Sequence, residues 1–485
     1  MMNALTKFDD ATIQRIFGHE AAENEEPARL REYYFKSDTY ERIVAGLPLR
    51  ILVGHKGIGK SALFKVALQE DEDARRLALL IRPDDIIELG LDGTDFLRMI
   101  RDWKAGLTEI VAEKVFQKLG IRHDERVQEQ QGARVLSFLM EKIEPVRRAV
   151  TSGEKQSMID KFLKDHLINV YIDDLDRGWS GNRTDVLRIS ALLNALRDLG
   201  NDNRGLRFKV ALRTDVYFLV RTADESTDKL EGSVVWQSWT NHEILALLAK
   251  RILTFRGLDA DEASLLAKDA ADLSSYLDFV MEERFEGKGH WKNAPMYTVL
   301  MSLIRKRPRD LVKLCSLGAQ RAQKRGRKRI GAQDFEEVFE EYSQGRLQDT
   351  INEYRTELPD IQRLLMGMRP SAQERKSSQG YNYKTDSLLR KIRNIEEQGA
   401  FKLASGRVAA SKDLAQFMYK INFLVARKVL SPNETYRKYF EENRYLLTEF
   451  ADFGLDWEIH PAYRWALQPA TVHRIFHELQ LSNFS

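Results

Sequence analysis

Gly54-His55-Lys56-Gly57-Ile58-Gly59-Lys60-Ser61 decides how this chain is read. The octapeptide fits G-x-x-x-x-G-K-[ST], and its surroundings fit as well. An apolar run, Leu49–Val53 (LRILV), enters it, and a helical stretch over 62–68 leaves it. Glycines at this spacing let the main chain wrap a phosphate with several N–H groups turned inward, and the helix behind adds its positive end. Lys60 is expected to reach the β- and γ-phosphates, and the Ser61 hydroxyl to bind Mg²⁺. Gly54, His55, Lys56, Gly57, Ile58 and Gly59 complete the expected cradle.

Working outward, further apolar runs lie at 78–81 (ALLI), 167–172 (LINVYI), 208–212 (FKVAL) and, short, at 234–236 (VVW). Helical patterns fill the intervals. Strands alternating with helices predict a parallel sheet with helices on both faces, an α/β core. Residues 1–46 read as a helical preamble and 47–240 as the core, with a helical insertion at about 96–150. No buried-strand run follows Trp239 for a long way, so 241–345 reads as all-helical and 241–369 as a helical lid. Residues 370–385 are the best loop candidate. They open a C-terminal unit, 370–485, with an amphipathic helix over 411–427 and aromatic segments suited to a hairpin.

Composition bounds the alternatives. The chain has 485 residues, 31% charged and 43% hydrophobic, with a formal net charge of +3. That length allows about three domains. A near-balanced charge leaves any nucleic-acid role to a local patch. Cys315 is the only cysteine, so no intramolecular disulfide framework and no cysteine-based zinc module is expected, which suits a reducing cytosol. No apolar run approaches the ~18 residues of a membrane span. Met1 to Asp10 shows no basic start and no apolar core, so no secretory signal is expected.

The strand at 167–172 runs straight into Asp173-Asp174-Leu175-Asp176-Arg177. Carboxylates at the C-terminal end of a buried parallel strand lie at the rim where ligands bind. Asp173 is the expected Mg²⁺ anchor, and Asp174 is placed to orient the attacking water. Aspartate is one methylene shorter than glutamate, so its reach to that water is poorer and slow turnover is expected.

Together the GHKGIGKS loop, the VYIDDLDR strand end and the KVALRTDVY strand resemble the KAP/STAND side of the P-loop ATPases, and more closely the bacterial FunZ-type ATPases. Phe17-Gly18-His19-Glu20-Ala21-Ala22-Glu23 is similar to the N-terminal element of that group. Ser238–Glu243 (SWTNHE), Arg307-Pro308-Arg309-Asp310-Leu311 and His460-Pro461-Ala462-Tyr463-Arg464 resemble its later elements. The resemblance covers nearly the whole chain. It implies an ASCE-type P-loop NTPase core of five strands, a helical lid and a C-terminal winged-helix-like unit. It also implies ATP and Mg²⁺ as ligands, and roles in stress signalling and antiviral defence. Arg213 corresponds to an arginine that senses the γ-phosphate, though pairing with Asp215 is the plainer alternative. Pro308 and Arg309 resemble a second sensor, and Arg177, Arg188 or Arg221 is a candidate finger acting in trans within a homo-oligomer.

The remaining candidates are weaker. Arg321, Lys324, Arg325, Arg327, Lys328 and Arg329 form a basic run able to grip a nucleic-acid backbone. Glu336, Glu337, Glu340 and Glu341 follow at once, so a self-neutralised helix end is the favoured reading. His473 and His477 are four apart, without the glutamate a zincin helix needs. The expected function is an ATP-driven switch that hydrolyses slowly and acts on an effector protein or nucleic acid. The rivals are a P-loop phosphotransferase and a DNA-binding scaffold that holds ATP without turnover.

Overall fold

A computed structural model describes residues 7–91, 95–120, 135–146, 153–179, 181–223, 225–376, 380–431, 434–444, 454–468, 475–476 and 479–481. The chain divides into two compact units. One carries 36–55 and 60–237. The other carries 56–59, 238–485 and the segment up to 35.

In the first unit the five apolar runs are five parallel strands: β1 (Leu49–Val53), β2 (Leu77–Ile81), β3 (Ile168–Ile172), β4 (Leu206–Leu212) and β5 (Val234–Trp236). Their order across the sheet is β2-β3-β4-β1-β5. Every residue of β3 is buried, and all but one of β1 and of β4. Strands so fully covered must have helices on both faces, which is why they read as continuous apolar runs. Among those helices are α1 (Lys60–Asp73), α2 (Phe96–Leu119), α3 (Arg183–Asp202) and α4 (Thr214–Ala223). Asp95 caps α2 by accepting from the Leu97 and Arg98 N–H groups, and Asn182 caps α3 through the Asp185 N–H. A buried polar cluster ties α1 to the sheet. The Asp71 carboxylate accepts from Asn169 (2.8 Å), Tyr171 (2.8 Å) and Arg76 (2.7 Å), and Lys209 donates to Asn169 at 2.8 Å.

The second unit is mainly helical. It includes α5 (Asn241–Phe255), α6 (Pro308–Lys324) and α7 (Phe339–Tyr354). A capping box opens α5: Thr240 and Glu243 exchange hydrogen bonds with each other's backbone N–H. One expectation fails here. The stretch 241–345 is not all-helical, because β6 (Arg284–Glu286) and β7 (Lys292–Pro295) form an antiparallel ribbon. The ribbon is too short for a periodic signal. It delivers two large side chains, Phe285 and Trp291, into a core shared with Phe339, Trp465 and Phe476. The C-terminal region holds α8 (Thr385–Glu396), α9 (Ser411–Lys420) and a four-stranded antiparallel sheet. Its strands are β8 (Asn382–Tyr383), β11 (Leu424–Ser431), β12 (Glu434–Lys438) and β13 (Asp456–Ile459), in the order β12-β11-β13-β8. A two-stranded ribbon, β9 (Phe401–Lys402) with β10 (Val408–Ala409), precedes α9. This region thus combines helices with an antiparallel sheet.

Candidate nucleotide site

Parallel strands end at one edge of their sheet, and that edge gathers the predicted residues. β4 lies between β1 and β3, with Val53 beside Leu212 and Ile172 beside Val210. Gly54, Arg213 and Asp173 therefore leave three neighbouring strands on the same side. The Gly54 N–H donates to the Leu212 carbonyl at 3.2 Å, so the loop starts as a continuation of the ladder. Helix α1 begins at Lys60 and is anchored by buried Leu63, Phe64, Val66 and Ala67. The Lys60 ammonium donates to the carbonyls of Gly54 (2.7 Å) and His55 (3.1 Å), which folds the side chain back across the loop. Ser61 follows on the first turn, half-buried.

Residues 56–59 group with the second unit, and that unit holds them tightly. Gly57 and Gly59 have φ of +80° and +108°, where side chains are strained. A Cβ on Gly57 would also stand 3.0 Å from Cβ and Cδ of Arg309. The Arg309 N–H donates to the Gly57 carbonyl at 3.3 Å, and the Trp239 indole to the Ile58 carbonyl at 2.8 Å. The Lys56 N–H donates to Glu353 at 3.3 Å, and Arg307 reaches the Lys56 carbonyl at 3.3 Å and Glu353 at 3.6 Å. Arg307 is only 2% exposed, yet its Nε and Nη2 have no acceptor among the described residues. Buried donors of this kind call for a missing partner.

At the end of β3 the main chain is strained. Asp174 sits at φ +59°, in the left-handed region, and its N–H donates to its neighbour Asp173 at 2.9 Å. Asp174 is exposed and Asp173 half-buried. Arg213 forms a two-bonded pair with Asp215, at 3.0 and 2.7 Å, and touches Asp176 at 3.3 Å. Two further polar side chains lie just past β4 and β5. Thr214 and Gln237 are each 1% exposed, and Thr214 Oγ1 and Gln237 Oε1 have no partner among the described residues.

These features fit a nucleoside triphosphate. The loop offers glycines at positive φ, where side chains are strained, a helix start, and a lysine folded back across it. Among the described residues no three His, Cys, Asp or Glu side chains are grouped to hold a metal. A Mg²⁺ ion at Ser61 and Asp173 would thus share its coordination with phosphate oxygens and water, as this ion prefers.

Sequence reading missed Arg307, Glu353 and the clamping role of Trp239. Arg307 and Trp239 fall inside the resembling elements but carried no assignment, and Glu353 gave no local signal at all. The other resembling elements converge on α6. Arg309 donates to the Glu20 carbonyl at 3.0 Å, and Lys313 pairs with the Glu20 side chain at 2.9 Å. Arg305 binds Asp310 at 2.7 and 2.9 Å and the Tyr463 hydroxyl at 2.8 Å, and Arg346 adds 2.9 Å to Asp310. Burial by itself would raise the Asp310 pKa. The Arg305 guanidinium, with Arg346 and Arg307 behind it, instead holds it far below the usual carboxylate range.

Three of the six residues of the basic run are paired inside the chain. Arg325 bonds to buried Asp334 at 2.6 Å and to Glu337, Arg327 lies 3.7 Å from Asp334, and Arg321 lies 3.5 Å from Glu341. Of the arginines considered for action in trans, Arg188 donates to the carbonyls of Ile86, Ile87 and Leu89, and Arg221 to Glu231. Arg177 is exposed. His473 and His477 lie outside the described residues. Among the described residues no helix is long and apolar enough to cross a membrane.

Residues 264–351 match the FunZ-associated C-terminal helical domain. The chain is similar to a putative transposon gamma-delta 80.3 kDa protein of Escherichia coli K12, 22% identical across 97% of this chain and 70% of that protein. Among solved structures it is similar to a Walker-type ATPase of Pyrococcus abyssi. That match has 14% identity and a TM-score of 0.42, over 90% of this chain and 96% of the other. It is also similar to the ORC2 protein of Aeropyrum pernix in its ADPNP–ADP complexes, at 10% identity and a TM-score of 0.42, over 90% of each chain.

Proposed function

We propose that this protein is a P-loop ATPase that works as a slow, ATP-driven switch. The observation that carries this reading is the shared edge of β1, β4 and β3. There a glycine cradle opening a helix at Lys60 stands next but one to a strand ending in Asp173 and Asp174. Lys60 turns from its loop carbonyls to the phosphates, and the backbone N–H groups around Gly57 and Gly59 hold the phosphate oxygens. Ser61 and Asp173 would hold Mg²⁺, which would supply positive charge to neutralise the phosphate oxygens. Asp174 accepts a hydrogen bond from the attacking water, and Arg213 is available to the γ-phosphate once it loosens from Asp176. The short reach of Asp174 keeps turnover slow, which suits a switch more than a motor.

Arg307 and Arg309 hold loop residues 56–59, so phosphate in the cradle bears directly on α6. Through Asp310 and Arg305 the same helix is bonded to Tyr463 near the C-terminus. ATP and ADP would then favour different positions of that region, and an effector protein or nucleic acid would read them. Bacterial defence or stress signalling, as the setting of such a switch, rests on the family resemblance of the sequence motifs alone. Arg177 is the arginine offered to a neighbouring copy of the chain, in a cytoplasmic homo-oligomer.

The test is direct. Purified protein should release phosphate from ATP, and the release should stop in Lys60→Ala. Phosphate transferred to a small acceptor in place of water would favour the phosphotransferase reading, and ATP bound without any release would favour the scaffold.

A further inference from the structure

The edge of the parallel sheet opposite the nucleotide loop carries a second set of cations. Arg50 is the second residue of β1 and Arg207 the second of β4, so both lie where these strands begin. The register pairs Arg50 with Lys209, two residues beyond Arg207, which puts Arg50 and Arg207 on the same face of the sheet. Neighbouring strands lie ~4.8 Å apart and each residue rises ~3.3 Å, so the two arginines spring from α-carbons ~8 Å apart. By the same rise Arg50 stands ~13 Å along the strand from Gly54 and the ATP cradle. The chain enters β1 from the helix Asp38–Val44 through Gly46 and Leu47, both exposed. A Cβ on Gly46 would stand 3.0, 3.1 and 3.2 Å from Nη2, Cζ and Nη1 of Arg207, so the guanidinium lies across the loop in space that a side chain would take.

These cations lack the acids that other arginines of the chain have. Arg207 makes no hydrogen bond and no ion pair among the described residues, and its Nε is buried. The Arg50 Nε is likewise buried without an acceptor among them, and its Nη1 reaches only the Gly232 carbonyl, at 3.4 Å. Arg42, on the helix Asp38–Val44, stands 4.0 Å from Asp38, a carboxylate 85% exposed. Acids on the elements packed against β1 and β4 have partners of their own. Asp198 is held by Arg197 at 3.1 Å, Asp202 by Lys104 at 3.2 Å and Glu231 by Arg221 at 2.9 Å. Burial, with the Arg42 cation next, lowers the Arg50 pKa; burial, with Arg207 first among the cations, lowers that of Lys209 farther along β4. Arg50 and Arg207 are thus held near like charge with no carboxylate bonded to either. Buried donors without acceptors cost free energy until a ligand supplies them.

The chemistry points to phosphate. A guanidinium matches phosphate oxygens as a planar fork and stays charged at any physiological pH. The three cations are spread over a helix and two strands along an exposed edge, an arrangement that fits repeated phosphates and not one small anion. A membrane fits less well. Lipid-binding clusters carry ~4–8 Lys and Arg or lie beside a broad apolar face, whereas here the loop exposes the single apolar side chain of Leu47, 44% exposed. We propose that the edge formed by Arg42, Arg50 and Arg207 binds the phosphate backbone of a nucleic acid. Contacts of this kind position a duplex and carry no base sequence. The binding needs neither ATP nor its turnover, so it stands apart from the ATPase reading. It is also distinct from the run over 321–329, three of whose arginines are paired to Asp334, Glu337 and Glu341.

The experiment uses the full chain and a short fluorescein-labelled DNA duplex, followed by anisotropy over a range of salt. Each phosphate contact contributes ~0.9 to the slope of log affinity on log salt, so Arg50→Gln and Arg207→Gln should each reduce that slope by about one. Each should also weaken binding roughly tenfold at low salt, the loss of one charge-assisted bond. Arg207→Lys keeps the charge and loses the fork, so it should hold the slope while losing affinity. Binding should persist in Lys60→Ala and should resist inorganic phosphate at matched ionic strength. Phenylglyoxal labelling read by peptide mass needs no substitution and decides the matter should a variant fail to fold: the duplex should shield Arg50 and Arg207. Unchanged affinity and slope in the Arg50→Gln, Arg207→Gln double variant would overturn the proposal, and so would equal labelling of both arginines with and without the duplex. Displacement by inorganic phosphate would make this a small-anion site. Binding to phosphatidylserine vesicles that needs these arginines, beside DNA binding that does not, would give the edge to a membrane. Loss of DNA binding in Lys60→Ala would trace it to the cradle. A protein that releases no phosphate from ATP, yet loses DNA in Arg50→Gln, would remove the ATPase reading and leave this one standing.

Discussion

Two acid–arginine clusters in this molecule are built on opposite terms. Asp310, 0% exposed, is enclosed by Arg305 and Arg346, with Thr350 and Tyr463 completing the donors and acceptors around it. Asp173 and Asp174 stand at the open end of a strand, one half-buried and one exposed, with Asp174 in a strained left-handed conformation. The first cluster is closed: its charges answer one another, and removing one leaves the others buried and unpaired. The second is open, at the strand end where a ligand approaches a parallel sheet. Strain of about 1–3 kcal/mol at such a position persists only where the surroundings enforce it.

The largest expected effect tests the closed cluster. Asp310→Ala should cost roughly 3–5 kcal/mol of stability, because Arg305 and Arg346 lose their shared carboxylate while remaining buried. Urea denaturation measures it. A cost below about 1 kcal/mol would mean that water replaces the carboxylate, and the cluster would then be open after all.

The open cluster should respond in activity and not in stability. Lys60→Ala should weaken ATP binding by roughly a hundredfold, since charge-assisted bonds to phosphate oxygens contribute about 1.5–3 kcal/mol each. Its melting temperature should stay close to the parent, because the Lys60 bonds to the Gly54 and His55 carbonyls are ones that water can replace. Asp174→Asn should still bind ATP while phosphate release falls by about two orders of magnitude, the usual contribution of a positioned acid or base. Asparagine also tolerates the left-handed conformation, so stability should hold. Unchanged release would take Asp174 out of the mechanism.

Acid titration sharpens the contrast. His460 is fully buried, accepts from the Ala462 N–H at Nδ1 and meets the Tyr439 hydroxyl at Nε2. Burial, with the Arg305 and Arg437 cations next, holds its pKa well below the ordinary 6.5. The unfolded chain therefore gains a proton below about pH 6.5 that the folded chain refuses, and stability falls as pH falls, by up to about 1.4 kcal/mol per unit. Replacing His460 by Gln should flatten the slope between pH 6.5 and 5. A second loss should begin near the ordinary glutamate value of 4.5 and run down to about 2, where Glu458 is held by Arg437 and Arg464 against the opposing effect of burial. A slope unaffected by His460→Gln would assign the first loss to other groups.

How much of this was legible depends on the range of the interactions. The cradle and the acidic strand end are local patterns, read from eight and five consecutive residues, and all five strands were announced by apolar runs. The ribbon at Arg284–Pro295 was not legible, because Phe285, Trp291 and Ala294 are its buried residues, too few and too unevenly spaced for a period. Nor was Glu353, which meets Lys56 across 297 positions of sequence. The arginine edge joins Arg50 to Arg207 in the same nonlocal way. Arg213 lay between: its neighbour Asp215 was visible as a rival partner, but the sequence could not weigh that pair against a phosphate.

The smallest expected effect lies within the basic run, which contains both kinds of charge side by side. Arg325 bonds to Asp334, which is 0% exposed and also accepts from the Gly331 N–H at 2.9 Å. Lys328 is exposed, three positions on. Arg325→Gln removes the cation from a buried carboxylate and should cost about 1–2 kcal/mol, less than Asp310→Ala because Arg327 remains 3.7 Å from Asp334 and the Gly331 N–H still donates to it. Lys328→Gln should stay within about 0.5 kcal/mol, as surface changes do. Neither should alter phosphate release in the absence of nucleic acid. If the run grips a phosphate backbone, the order reverses in a binding assay: Lys328→Gln should then weaken DNA affinity and reduce its salt slope by about one, while Arg325→Gln does less. Equal DNA affinity for both variants at low salt would leave the run as a helix end that neutralises itself.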